Sequence, residues 1–146
     1  MVINSSGKVV NYEPRGLEDY TITYARQKEL LIRVIEGKEP STLIRVTHPP
    51  VITLGRSAEQ SDILVSDEVL KNKNIETIEI ERGGKITYHG PAQIVLYPIL
   101  NLREFGKDIN IYLRLLEQTV IGFLETLGFE GVPGEEAGVF VSGKKV

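Results

Sequence analysis

The sequence predicts one domain of the α/β (α+β) class, a mixed sheet flanked by helices. Three observations carry that expectation. Short β-branched and aliphatic runs alternate along the chain with longer segments whose apolar residues recur at helical spacing. No internal repeat, low-complexity tract or linker divides the 146 residues. A chain of that length can also bury a sizeable core of its own, so one domain is the economical reading.

The first helix is expected within "GLEDYTITYARQKELLIRVIEGKEP". Tyr20, Tyr24, Leu31, Ile32 and Ile35 fall there at mostly helical intervals, and Gly37 and Pro40 act as stop signals. "STLIRVTHPPVITLGRS" is aliphatic and β-branched, and Pro49-Pro50 breaks it into two strands. A short helix follows in "SDILVSDEVLKNKN", with Ser66 or Asp67 as its N-cap. In "IETIEIERGGKITYHG", Ile78 and Ile80 alternate with Glu79 and Glu81, the pattern of a strand with one wet face. Gly83-Gly84 suits the turn of a hairpin into "KITYH". "IVLYPIL" is apolar almost throughout, which suits a strand covered on both faces.

The clearest helix is "DINIYLRLLEQTVIGFLETLGFEGV". Asp108 or Asn110 can cap it, Gly128 can end it, and Leu113, Leu116, Val120, Phe123 and Leu127 draw its apolar stripe. "AGVFVSGKKV" reads as a strand, a Ser142-Gly143 turn and the first residues of a return strand. That return arm stops at Val146, so the sequence is expected to be cut in mid-element, an incomplete form of a longer domain.

Composition narrows the function classes. Hydrophobic residues make up 41% and charged residues 25%, the balance of a soluble globular protein. A net charge of -3 argues against nucleic acid as the default partner and leaves room only for a local basic patch. No apolar run reaches the length of a membrane span, and "MVINSSGKVV" lacks the build of a signal peptide, so the cytoplasm is the expected compartment. There is no cysteine, which excludes disulfides, thiolate metal sites and a cysteine nucleophile within these residues. With only two histidines, His48 and His89, no metal site is expected. His48, before two prolines, reads as a loop residue.

Two motif matches are coincidental. Gly138 to Lys144 fits the G-x-x-x-x-G-K spacing of a phosphate loop, but Lys145 stands where the metal-binding Ser or Thr belongs, and "VFV" reads as strand. Ser142 and Lys145 match Ser-x-x-Lys, but in a turn instead of the required helix. "RGGKITYHGP" is richer. It reads equally as a Gly-Gly hairpin with a Gly-Pro corner, or as a ligand loop. In the second reading glycines admit close backbone approach, Thr87 and His89 present polar groups, and Arg82 supplies a fixed charge.

"RGGKITYHGPAQIVLYPIL" closely resembles the signature of the lipoyl(octanoyl) transferases, the LipB type, within the biotin and lipoate protein ligase superfamily. "THPPVITLGR", "INIYLRLLEQTVIGFLETLG" and "AGVFVSGKKV" resemble further segments of that family in the same order, from about Gly16 onward. The resemblance implies a biotin/lipoate protein ligase-like fold. It implies transfer of an octanoyl group from octanoyl-acyl carrier protein to a lysine of a lipoyl domain, through a cysteine thioester and without a cofactor. The implied acceptors are the lipoyl domains of 2-oxoacid dehydrogenases and the glycine cleavage H protein, with no nucleic acid and no membrane involved.

Carried over residue by residue, Arg82, Gly83, Gly84, Lys85, Ile86, Thr87, Tyr88 and His89 line the acyl-substrate pocket. The resemblance makes Lys145, in preference to its neighbour Lys144, the catalytic lysine that lowers the cysteine pKa and helps activate the incoming amine. An octanoyl chain has about six methylenes to bury at roughly 0.8 kcal/mol each, and "IVLYPIL" and Leu54 are suitable walls. The sequence departs from the family at Ala92, where glycine is usual, a change tolerable if that backbone is not at positive φ. The family's cysteine lies downstream of the lysine motif and is not among these residues. The competing readings are an ATP-dependent lipoate or biotin ligase of the same superfamily, and a non-catalytic acyl- or lipoyl-domain-binding module or half of a split enzyme.

Overall fold

A computed structural model describes residues 2–3, 9–106, 108–135 and 137–146. The chain divides into two compact units, Met1–Leu100 and Asn101–Val146.

In the first unit, β1 (Val2–Ile3) pairs antiparallel with β2 (Val9–Leu17). Helix α1 (Tyr20–Ile35) then connects β2 to its parallel neighbour β3 (Thr42–Thr47), which makes a β-α-β unit. Strand β7 (Val95–Ile99) closes this sheet by pairing antiparallel with β3, giving the order β1-β2-β3-β7. A second sheet has β4 (Val51–Leu54) at its centre, with β5 (Glu76–Glu79) parallel on one side and β6 (Ile86–His89) antiparallel on the other. Helix α2 (Asp67–Asn72) crosses from β4 to β5, capped by the Ser66 side chain, which accepts from the Val69 amide.

The alternation of β3 places Ile44 and Val46 inward against Leu30 of α1, where Val95, Tyr97 and Ile99 join them. A second cluster forms from Tyr20, Val51 and Ile80, with Tyr24, Ile78 and Tyr97 around it. Helix α1 thus contributes to both clusters. Its buried residues are Tyr20, Thr23, Leu30 and Val34, whereas Leu31, Ile32 and Ile35 of the expected stripe are exposed. Tyr20 of that stripe is buried and Tyr24 packs beside it, whereas in the later turns the buried Leu30 and Val34 each lie one residue before the expected Leu31 and Ile35.

Two further strand expectations need correction. Gly83-Gly84 is not the turn of a β5–β6 hairpin, because β4 lies between those strands and pairs with both. The buried "VIT" of β4 offers backbone on two sides, and the chain crosses the end of β4 to use the second. Strand β7 is not covered on both faces. Among the described residues it pairs with β3 alone, Leu96 is half exposed, and Pro98, which has no N–H to donate, suits such an edge.

The second unit consists of α3 (Ile109–Thr126), β8 (Val132–Pro133), β9 (Val139–Val141) and β10 (Lys144–Lys145), the strands ordered β10-β9-β8. Asp108 caps α3 by accepting from the amides of Asn110 and Ile111. All three α-helices end alike. Gly37, Asn74 and Gly128 take positive φ just past the last turn, and the next residue's amide reaches back to the carbonyls of Arg33, Leu70 and Leu124. This is the Schellman arrangement that the stop signals predict. No helix among the described residues is long and apolar enough to cross a membrane.

Candidate functional site

The segment Arg82–His89 lies in the first unit, and a glycine outside it decides its course. At Gly55, just past β4, the Gly55 amide donates to the Lys85 carbonyl at 2.8 Å, the Arg56 amide to the Arg82 carbonyl at 3.0 Å, and the Ser57 amide to the Gly84 carbonyl at 3.2 Å. A Cβ on Gly55 would collide with the Gly84 carbonyl oxygen and come within 3.0 Å of Gly83 O and Arg82 Nη1. Only a residue without a side chain lets the two backbones meet this closely. Gly84 adopts φ +79°, the left-handed region, while Gly83 has open space around its Cα and no such φ.

Arg82 fastens this loop to β4. Its Nη2 donates to the Thr53 carbonyl at 3.0 Å and to Thr53 Oγ1 at 3.1 Å, and Nη1 donates to the Gly83 carbonyl at 2.9 Å. The planar guanidinium is therefore committed to two backbone carbonyls and the Thr53 hydroxyl, a set that a lysine could not reproduce. Lys85 instead reaches outward to Asp62 at 2.7 Å. Leu54, Gly55, Arg56, Ala58, Glu79, Ile80 and Glu81 surround a cleft of about 490 Å³ beside the loop.

Strand β6 carries the remaining four residues, with Ile86, Thr87, Tyr88 and His89 opposite Leu54, Thr53, Ile52 and Val51. Tyr88 is half exposed, and its ring covers Gly90, where a Cβ would stand 2.7 Å from the Tyr88 hydroxyl. His89 stacks on Tyr20 at 5.9 Å and 16°, and meets the edge of His48 at 5.6 Å. Its Nδ1 donates to Gln93 Oε1 at 2.7 Å. Burial pushes His89 below the ordinary imidazole range, against the Gln93 hydrogen bond, with His48 and Arg82 adding to the lowering. Ala92 is not at positive φ, so the departure from glycine there carries no backbone strain.

His48 lies in the β3–β4 loop, as expected, but it is fully buried. Its Nδ1 lies 2.8 Å from the Glu18 carbonyl oxygen and its Nε2 lies 3.1 Å from the Tyr97 hydroxyl. A carbonyl only accepts, so Nδ1 carries a proton there, while Nε2 and the Tyr97 hydroxyl share a hydrogen bond. Burial pushes the Tyr97 phenol far above its usual range, with Tyr20 adding to the rise, and keeps it protonated. Glu18 is held in turn, its amide donating to the Thr47 carbonyl at 2.9 Å and its carboxylate accepting from Arg15 and Thr23, each at 2.6 Å.

In the second unit, "GVFVSGKKV" forms the expected hairpin. Val141 pairs with Lys144 and Phe140 with Lys145 across Ser142 and Gly143, whose φ values of 48° and 76° fit a type I′ turn. The phosphate-loop match is thereby excluded, because β9 occupies its cradle. The Lys145 side chain folds over Gly138, where φ is +140° and a Cβ would meet Lys145 Cε at 2.5 Å. Lys145 Nζ donates to the Ala137 carbonyl at 2.9 Å, and the Gly138 amide donates to Glu117 Oε1 at 2.9 Å. An apolar trough of about 290 Å³ adjoins, with Leu113, Leu116, Val120 and Val139 among its walls.

The lipoyl protein ligase A/B catalytic domain model matches residues 19–146. This chain belongs to that family. As a lipoyl protein ligase A/B domain it is 42% identical over 132 residues to the octanoyltransferase of Syntrophobacter fumaroxidans, an alignment covering 90% of this chain and 58% of the relative. The fold is shared with Ta0514 of T. acidophilum at a TM-score of 0.69 and 17% identity, covering 93% of this chain and 59% of that one. It is also shared with a lipoate-protein ligase A solved with ATP, at a TM-score of 0.61 and 15% identity, covering 95% and 58%. The chain thus spans about three fifths of the length of these relatives. The biotin/lipoate protein ligase-like fold, and the octanoyltransferase kinship of this lipoyl protein ligase A/B domain, are as the resemblance implied.

Sequence reading missed Gly55, Tyr97 and the buried state of His48. Gly55 stood at the end of an aliphatic run where any turn would place a glycine. A polar pair between His48 and Tyr97, 49 residues apart, leaves no local signal.

Proposed function

We propose that this domain serves octanoyl transfer in lipoate biosynthesis, taking the acyl group of octanoyl-acyl carrier protein to a lysine on a lipoyl domain. The observation that carries the reading is the Arg82–His89 segment. Its glycine loop, fastened over Gly55 by Arg82, ends in a strand that presents Tyr88 and His89, and the segment closely follows the wording of the octanoyltransferases. The acyl chain would lie along the face of this strand that carries Ile86 and Tyr88, while Thr87 and His89 point to the opposite face. Ile94, just before β7, and Leu96 within it are further exposed apolar residues of the signature segment.

Lys145 is the proposed catalytic lysine. Its ammonium already faces a carbonyl oxygen, so it is placed to exchange that partner for a thiolate. A cation within about 4 Å of a thiolate at an effective dielectric near 20 contributes roughly 4 kcal/mol before desolvation. The acceptors would be the lipoyl domains of 2-oxoacid dehydrogenases and the glycine cleavage H protein, and the compartment the cytoplasm. No cysteine is present among the 146 residues, so the thioester step needs a thiol from outside them. Incubation with octanoyl-acyl carrier protein followed by hydroxylamine tests this. These residues alone should retain no hydroxylamine-sensitive octanoyl adduct, and a longer chain with the family's cysteine should retain one. An adduct of ester or amide type on this chain would require another nucleophile and sink the assignment.

A further inference from the structure

We propose that Glu79 sets the length of the acyl chain: the chain crosses the second sheet over Ile86 and Leu54, and its methyl end halts at the Glu79 carboxylate. The inference deepens the acyl-transfer reading above and rests on it.

Register puts these three residues in one row. Leu54 of β4 stands opposite Ile86 of β6 on one side and opposite Glu79 of β5 on the other. Partners in register share a face of the sheet, so Ile86, Leu54 and Glu79 project from the same side. The next row on that face is Tyr88, Ile52 and Thr77, and there Ile52 is buried. A chain cannot lie over a covered Ile52. Leu54 and Ile86 are only partly buried, so the row they form is the open one. It leads into the cleft of about 490 Å³, which Leu54 and Glu79 both line.

The dimensions suit eight carbons. Neighbouring strands lie about 4.8 Å apart, which makes the distance from β6 to β5 about 9.6 Å. An extended octanoyl chain spans seven C–C bonds, each advancing about 1.25 Å when staggered, or about 9 Å in all. With its carbonyl carbon above Ile86, the chain passes the aliphatic Leu54 and its methyl end arrives beside Glu79. Glu79 is exposed and, among the described residues, makes no ion pair. Two further methylenes would strip water from that unpaired carboxylate, which costs more than their own burial contributes.

A nitrogen-15 NMR titration of this chain with the N-methylamides of hexanoic, octanoic and decanoic acid tests the proposal. The amides of Leu54 and Ile86 should shift with all three ligands, and that of Glu79 only from the octanoyl chain upward. Binding should tighten about 15-fold from hexanoyl to octanoyl, at roughly fourfold per methylene, and no further from octanoyl to decanoyl. In Glu79→Leu the decanoyl ligand should bind about 15-fold tighter than the octanoyl one, because the added methylenes then meet an apolar end. Glu79→Gln keeps the shape and removes the charge. It should give a smaller gain in the same direction, and it serves if the leucine variant does not fold. Glu76→Gln, on the opposite face of β5, should leave the profile as it is. Steady tightening through decanoyl in the parent, or a profile that neither Glu79 variant changes, overturns the role of Glu79 while the acyl site stands. If no ligand moves any signal of the Arg82–His89 segment, the acyl reading falls and the role falls with it.

Discussion

Gly55 and Gly84 meet backbone to backbone, so that a single methyl on the first would press into the carbonyl of the second. The contact explains why two glycines far apart in sequence are needed for one loop. It makes the glycine loop depend on the turn after β4, not on its own sequence alone.

Gly55→Ala should therefore displace the Arg82–Lys85 loop and cost about 1–3 kcal/mol, as overpacking against backbone does. Gly84→Ala should cost about 1 kcal/mol through its positive φ. Gly83→Ala, with nothing near it, should stay within about 0.5 kcal/mol. Urea midpoints of the three variants give the order, and a Gly83→Ala effect as large as that at Gly55 would contradict the geometry.

Tyr97→Phe keeps the ring and removes one hydroxyl. It leaves the buried Nε2 of His48 without its hydrogen-bond partner, so the expected loss is about 1–3 kcal/mol. Tyr12→Phe, a change at an exposed tyrosine, is the control and should be near neutral. Equal effects would mean that the His48–Tyr97 bond contributes little.

Acid stability should depend on Glu13 and Glu18. Burial raises the pKa of each carboxyl, but for Glu13 the Arg26 and Arg15 guanidiniums outweigh it, and for Glu18 Arg15 and Thr23 do. Both folded values lie below the unfolded one, near 4.5. The unfolded chain therefore binds protons first as pH falls. The contribution is fully present above pH 4.5 and is lost as pH falls through the depressed folded values. In Glu13→Gln the thermal midpoint should fall less steeply between pH 5 and pH 3 than in the parent, roughly the range over which such carboxylates titrate. A parallel pair of curves would show that the ion pairs do not couple to folding.

The helices and most strands were legible because each carries its own local signal. Ser66, Asp108, Gly37 and Gly128 all act at the ends where their chemistry places them. Strand β2 was not read, since "VVNYEPRGL" has Pro14 and Gly16 inside it and a bulge between Pro14 and Leu17. The course of Gly83-Gly84 was misread because strand order is decided by which strand has two free edges, a property of β4 that periodicity does not record. The Ser142-Gly143 hairpin was legible from its turn residues, but the His48–Tyr97 bond is nonlocal and becomes visible only in three dimensions.

Lys145 and Lys144 offer a sharper discrimination. Adjacent residues on β10 point to opposite faces, and only Lys145 folds over Gly138. In a longer chain with the family's cysteine, Lys145→Met should raise the thiol pKa by about one unit if a third of the charge interaction is retained in the site. Lys144→Met should do much less. A selective loss for Lys144, read from the pH dependence of thiol alkylation, would place the catalytic lysine elsewhere.

The most direct measurement is octanoyl transfer itself, followed by mass spectrometry of a lipoyl domain incubated with octanoyl-acyl carrier protein and the cysteine-containing chain. The account predicts an octanoyl mass increment on the acceptor lysine with no nucleotide present, and its loss when Lys145 is Met. An increment that appears only with ATP and a free fatty acid, with pyrophosphate released, would contradict it and make the protein a ligase.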